Sequence, residues 1–182
     1  MSEELVEKYC YQDQLAKVLY DPMGIFKPIP VANDSSHYIK KPTQQQFYDC
    51  CNECYWVATY VAKGLVRHEL NYALKHLNEN VREMLLVMLS WKVGHEYHYQ
   101  ISVGKYYKYL EKYLEANSWK QLLTTYPTAD YESIWIALFN LLTMMNEESQ
   151  ICAKCLGYDY HLEEFENSYH YITTLYHNKN IP

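Results

Sequence analysis

The strongest constraint on the fold is a run of apolar residues between Thr43 and Leu65. Phe47, Cys51, Cys54, Ala58, Val61 and Leu65 recur at alternating steps of four and three, the interval that puts side chains on one side of an α-helix. Thr43 stands where a hydroxyl can accept from the free N–H groups of a first turn, and Gly64 lies near the far end. The spacing predicts a helix over 43–65. Leu70, Leu74, Leu77, Val81, Leu85, Met88 and Trp91 form a second stripe. It predicts another helical stretch, with the polar run Asn78-Glu79-Asn80 as the point where it would break in two and Gly94 as its close.

Further along, residues 105–114 and 119–126 read as short helices, the latter stopped by Pro127. Asp130 is an N-cap candidate for a long helix over 131–156, apolar around most of its circumference through Ile134, Trp135, Leu138, Phe139, Leu141, Leu142 and Met145. Gly157 suits its C-cap, and a last helix covers 161–177. The polar, aromatic stretch 95–104 has little periodicity and reads as a loop or an irregular turn. Before the first stripe, residues 3–20 hold short helical patterns built on Leu5, Tyr9, Leu15, Val18 and Leu19. Asp21-Pro-Met-Gly24, Pro28, Pro30, Asn33, Asp34 and Ser35 then mark an irregular segment. The expected fold is all-α: a bundle of five or six helices over 43–182, preceded by a connecting segment over 1–42.

A chain of 182 residues can bury one good core. The net charge of −6 argues against a nucleic-acid duplex and suits a cationic ligand. No apolar run approaches the ~20 residues of a membrane span, and the start MSEELVEKYC lacks the pattern of a signal peptide. A cytoplasmic, reducing location is therefore expected, with the cysteines as thiols. The 21 tyrosines are far above ordinary usage. They fit half-polar clefts, because each ring packs while its hydroxyl still needs a partner; biased base composition in the gene is the blander cause.

Two C-x-x-C pairs, Cys51/Cys54 and Cys152/Cys155, raise the question of a zinc or redox site. The helical stripe answers it in favour of packing. Cys51 and Cys54 are consecutive positions of the apolar seam, and Cys152 and Cys155 continue that of the long helix, where a free cysteine behaves as a small hydrophobe. Cys50 is left open, and no metal ligand set is assigned.

On another side of the first helix, Asp49, Glu53, Trp56, Tyr60 and Lys63 fall within one wedge, roughly opposite Cys51. Two carboxylates, two aromatic rings and an amine can together hold a cationic ligand. The plain alternative is a solvated helix face with i, i+4 pairs. No H-E-x-x-H, phosphate-cradling loop or G-x-S-x-G is present.

The motifs IKKPT (39–43), CCNE (50–53) followed by Trp56, YVAKGL (60–65), Arg67 with Glu69, MLSWKVG (88–94), SVGK (102–105) and YESIWIALF (131–139) stand in this order. Together they resemble the second, helical domain of aminoglycoside 6-adenylyltransferases, the streptomycin-modifying resistance enzymes, over almost the whole chain. The resemblance implies a drug-binding role for 43–182, with streptomycin or a related aminoglycoside as partner and neither nucleic acid nor membrane. It implies Glu53 as a drug-binding carboxylate and general base, with Asp49, Trp56, Tyr60 and Glu132 in the drug cleft. Lys63, Lys105 and Tyr131 would face the nucleotide.

In that family a separate nucleotidyltransferase domain, with a Gly-Ser motif and three aspartates, holds Mg²⁺ and ATP. Here no Gly-Ser is followed by Asp-x-Asp, SEELVEKY resembles the segment after the third aspartate, and Asp13, Asp21 and Asp34 do not stand in matching contexts. The chain alone is thus expected to bind neither cofactor and to transfer no AMP. Cys54, Tyr55 and His95-Glu96-Tyr97-His98 depart from the usual family residues. Two other functions remain in view: a helical module that self-associates through the exposed domain interface, and a zinc-stabilised regulator resting on the C-x-x-C pairs.

Overall fold

The computed structural model describes residues 3–12, 15–24, 26 and 31–178; Asp13, Pro28 and Pro30 lie outside them. Among the described residues the regular structure is helical. Helix α1 (Glu3–Val6) runs into a wider π-type turn over Glu7–Gln12. Residues 16–20 form no helix, against the short pattern read there, and Leu19 is 88% exposed.

Helix α2 (Gln44–Val66) begins where the sequence places it. Thr43 Oγ1 accepts from the Gln46 N–H at 3.2 Å, while Gln46 Oε1 accepts from the Thr43 N–H at 2.9 Å, a reciprocal cap that satisfies two backbone donors. All six residues of the predicted stripe are buried, as is Cys50.

Helices α3 (Leu70–His76) and α4 (Arg82–Glu96) are not separated by a break at Asn78-Glu79-Asn80: a π-turn over Leu77–Val81 joins them without interruption. Leu77 and Val81 stay fully buried through it, so burial on both sides of the wide turn holds the chain helical. Gly94 does not close α4, which continues to Glu96. It permits a close approach instead, since a Cβ there would lie 2.9 Å from Ile39 Cγ2 and 3.0 Å from the Tyr99 ring.

The expected helix over 105–114 is reduced to a 3₁₀ turn over Lys105–Tyr107 and the single-turn α5 (Leu110–Tyr113), because Tyr106 and Tyr107 take left-handed backbone angles. Helix α6 (Ala116–Leu123) ends before Pro127 is reached. The hydroxyls of Thr124 and Thr125 bond back to the Gln121 and Leu122 carbonyls at 2.7 Å each and finish the turn first.

Helix α7 (Tyr131–Leu156) has both expected caps. Asp130 Oδ1 accepts from the Ser133 N–H at 2.9 Å, and Gly157 closes the helix at φ +73°. It packs against α2, α4, α6 and the last helix α8 (Leu162–Asn178). The bundle counts as five or six helices according to whether the π-turn divides α3 from α4, the single turns α1 and α5 aside.

The tyrosines act as cross-links. Tyr55 OH and Tyr160 OH lie 2.7 Å apart, and Tyr160 OH donates to Asn146 Oδ1 at 2.7 Å. Tyr131 donates to the His68 carbonyl at 2.8 Å and Tyr176 to Glu132 at 2.7 Å. Each ring packs in a seam and each hydroxyl ties two elements distant in sequence.

Candidate functional site

Three segments enclose a groove of about 680 Å³. Helix α2 contributes Gln46, Asp49, Cys50, Asn52 and Glu53. Helix α4 contributes Met84, Val87 and Trp91 at steps of three and four, and the extended strap before α2 contributes Lys40 and Pro42. The strap is fixed by the Ile39 N–H donating to the Ile101 carbonyl at 3.0 Å. Asp49 and Glu53 are one turn apart and exposed. Gln45 Nε2 donates to Asp49 Oδ1 at 2.8 Å and orients that carboxylate. Among the described residues opposite charge enters only through Lys40, so the groove they line is net acidic. Two carboxylates beside an indole and two aliphatic side chains can hold a compact cation by charge-assisted hydrogen bonds on one side and apolar contact on the other.

Cys50 also borders the groove, but burial pushes its thiol well above the ordinary range. Its Sγ sits 3.4 Å from the Met84 carbonyl. Cys51 contacts Ser149 Oγ at 3.5 Å; burial, opposed by that hydrogen bond, leaves its pKa at about 11. Burial likewise takes Cys152 up to about 12. Cys155, expected in the core with Cys152, is exposed instead: at the last turn of α7 it borders a small open cleft against Trp91, Lys92, His95 and Glu96 of α4 rather than a closed seam. These buried thiols are packing groups, resistant to ionisation.

The remaining residues of the wedge separate from the groove. Trp56 is 60% exposed and donates through Nε1 to Tyr60 OH at 2.7 Å. Tyr60 stacks edge-on with His76, and His76 with Tyr72, at 5.8 and 4.5 Å between ring centroids. Lys63 Nζ lies over the rings of Tyr60 and Tyr171, at 5.1 and 5.7 Å. Tyr131 and Glu132 are placed further off, beside His68 and Tyr176, past the C-terminal end of α2. At 1.5 Å per residue that end is about 20 Å from Glu53.

Lys105 borders a second groove of about 660 Å³, with Lys108, His37, Asp34, Ser102 and Tyr109. The two grooves share the strap: His37 and Asp34 border the basic one, Lys40 and Pro42 the acidic one. Among the described residues no group of three or more His, Cys, Asp or Glu is placed to hold a metal ion. Among the described residues Asp34 is the one carboxylate of the basic groove, and that donor set does not fit Mg²⁺, whereas Lys105 and Lys108 suit phosphate oxygens. The Lys40, Gln46, Asn52, Met84, Trp91 and Lys108 side chains were missed from spacing alone. The signal was present, since IKKPT, CCNE and MLSWKVG converge on the acidic groove.

The fold and its grooves define a helical domain that presents carboxylates on one side of a shared strap and amines on the other. Residues 1–175 match the family model described as streptomycin adenylyltransferase, and the chain belongs to that family. It is 38% identical over 157 residues to an aminoglycoside 6-adenylyltransferase of Bacillus subtilis (strain 168), a match covering 86% of this chain and 55% of that protein. It is 36% identical over 166 residues to one of Staphylococcus aureus, covering 91% and 58%. The crystal structure of an aminoglycoside 6-adenyltransferase from Bacillus subtilis superposes with a TM-score of 0.72 at 36% identity, over 86% of this chain and 57% of that one. The chain therefore spans little more than half the length of these relatives. No helix among the described residues is long and apolar enough to cross a membrane.

Proposed function

We propose that this chain is the aminoglycoside-binding part of a streptomycin adenylyltransferase and that the drug occupies the acidic groove. The observation that carries the proposal is the pairing of Asp49 and Glu53, one turn apart, with Trp91 and an absence of fixed ion pairs to either carboxylate among the described residues. Aminoglycosides are polycations, and solvent-facing carboxylates bind cations without a heavy desolvation cost. Glu53 is the base assigned to the drug hydroxyl, with Asp49 holding an adjacent cationic group. Trp56 and Tyr60 extend the same side of α2 toward an approaching drug; Glu132 and Tyr131 play structural roles at the far end of the helix.

The basic groove is the side toward ATP. Lys105, joined by Lys108, would hold phosphate oxygens, while Lys63 is held among tyrosine rings. Bound ATP supplies the transferred AMP group. On this reading the Mg²⁺-holding aspartates are those of the nucleotidyltransferase domain that the family resemblance implies, and the residues of this chain supply the drug side of the transfer. A cytoplasmic location follows from the substrate pair. Calorimetry with streptomycin tests the reading: wild type should release heat, and Glu53→Gln should weaken binding about tenfold, the worth of one charge-assisted hydrogen bond. Equal affinity in wild type and Glu53→Gln would remove Glu53 from the site.

A second reading, a self-associating helical module, is favoured by Leu123, Tyr126 and Ile136, which are 49%, 52% and 53% exposed. Light scattering decides it: a strict monomer that binds streptomycin excludes this alternative.

A further inference from the structure

The part of the strap next to the acidic groove, Ile39–Pro42, belongs to no regular element, yet it is tied at both ends. At one end the Ile39 N–H donates to the Ile101 carbonyl at 3.0 Å, and the Ile39 side chain lies against Gly94. At the other, Tyr158 OH donates to the Pro42 carbonyl at 2.7 Å, across 116 residues of sequence. Pro42 has no N–H, so that carbonyl is its one backbone polar group, and the residue is buried.

Tyr158 is itself aimed by the end of α7. Gly157 turns the chain at φ +73°, and the N–H groups of Gly157 and Tyr158 both donate to the Ala153 carbonyl at 2.9 Å. The ring then packs 6.1 Å from that of Phe47, which is fully buried in the first turn of α2. A phenylalanine would fill this space equally well, so the hydroxyl adds one thing: the tie to Pro42.

We propose that Tyr158 is a positioning residue of the acidic groove. Its hydroxyl holds the Ile39–Pro42 strap, and with it Lys40, as the wall of the groove lined by Asp49 and Glu53. The length and C-cap of α7 thereby set the width of a groove to which α7 contributes no lining residue. The consequence for ligand affinity rests on the drug-binding reading above; the tie itself does not.

Tyr158→Phe tests both parts. The Lys41–Pro42 bond resists trypsin, so cleavage after Lys40 reports release of the strap. Native-state cleavage there should accelerate about three- to tenfold, the worth of one neutral hydrogen bond, and the Kd for streptomycin should rise by a similar factor. Tyr160→Phe is the control: it removes a hydroxyl from the neighbouring Tyr55–Asn146 network without touching the strap. It should leave cleavage after Lys40 and streptomycin affinity at wild-type values whatever its effect on the urea midpoint. Unchanged cleavage in Tyr158→Phe overturns the tie, and equal acceleration in Tyr160→Phe reduces it to general loosening. Faster cleavage with unchanged Kd overturns the positioning role. No heat from the wild type with streptomycin refutes the drug reading, and the cleavage comparison still decides the tie.

Discussion

Lys92 Nζ lies 3.0 and 2.8 Å from the two carboxylate oxygens of Glu148, an ion pair joining α4 to α7 with side chains only 17% and 5% exposed. Burial disfavours the ammonium, but the hydrogen bond and charge of Glu148 outweigh it and hold the Lys92 pKa above that of an ordinary lysine.

Removing one partner leaves the other charge buried and unpaired. Lys92→Met should cost about 3 kcal/mol in urea unfolding, whereas Lys92→Met with Glu148→Met together should come close to wild type. Because the folded pKa of Lys92 is raised, its stabilising share is fully present below the unfolded value near 10.4 and is lost as pH climbs through the folded one. A Lys92→Met variant should lack this alkaline loss. Matching alkaline unfolding curves would show the pair to be energetically silent.

Asp130 behaves in the opposite sense. Hydrogen bonds from Ser133 and Thr128 hold its pKa at about 2. Its cap is intact above the unfolded pKa of about 3.9 and weakens as pH falls through about 2. Asn caps a helix nearly as well but does not titrate. Thermal melts between pH 5 and 2 should therefore fall more steeply for wild type than for Asp130→Asn, and parallel curves would contradict the assignment.

Thiol reactivity separates the cysteines. In a Cys10→Ser background, Ellman's reagent at pH 8 should label one thiol rapidly, that of Cys155. Cys50, Cys51, Cys54 and Cys152 should wait for unfolding, since burial keeps their thiols neutral. Rapid labelling of Cys51 would show the α2–α7 seam to be open, and rapid labelling of Cys50 would show access from the acidic groove.

Within the drug-binding reading, Asp49→Asn should weaken streptomycin about tenfold by calorimetry. Glu132→Gln, on the far side of Tyr176, should leave affinity within about twofold. Comparable losses from both would place the ligand elsewhere than the acidic groove.

How much of this was legible beforehand varied with the range of the interaction. The caps at Thr43, Asp130 and Gly157 are settled by residues within four positions of each other, and the stripe of α2 by a fixed period; both were readable in order. The wedge was right about direction around the helix and silent about distance along it. Angular position put Asp49, Glu53, Trp56, Tyr60 and Lys63 together, while the axial rise of ~1.5 Å per residue spread them from the groove to the aromatic cluster beyond it.

By itself the sequence determined that the described chain is helical, where its two main helices start and stop, the central stripe of buried residues on α2, and which family motifs it carries, because period, caps and short motifs are local properties. The burial of Cys50, Tyr55, Val57 and Ala62 on either side of that stripe came from the other helices packed around α2. Only the tertiary structure decided that Asn78-Glu79-Asn80 is a π-turn rather than a break, that Cys155 faces outward, and that Lys40 and Trp91 join Asp49 and Glu53 at one groove. Those outcomes depend on which surfaces meet across separations such as the 116 residues between Pro42 and Tyr158. Packing and long-range hydrogen bonds select that meeting, and no local pattern encodes it.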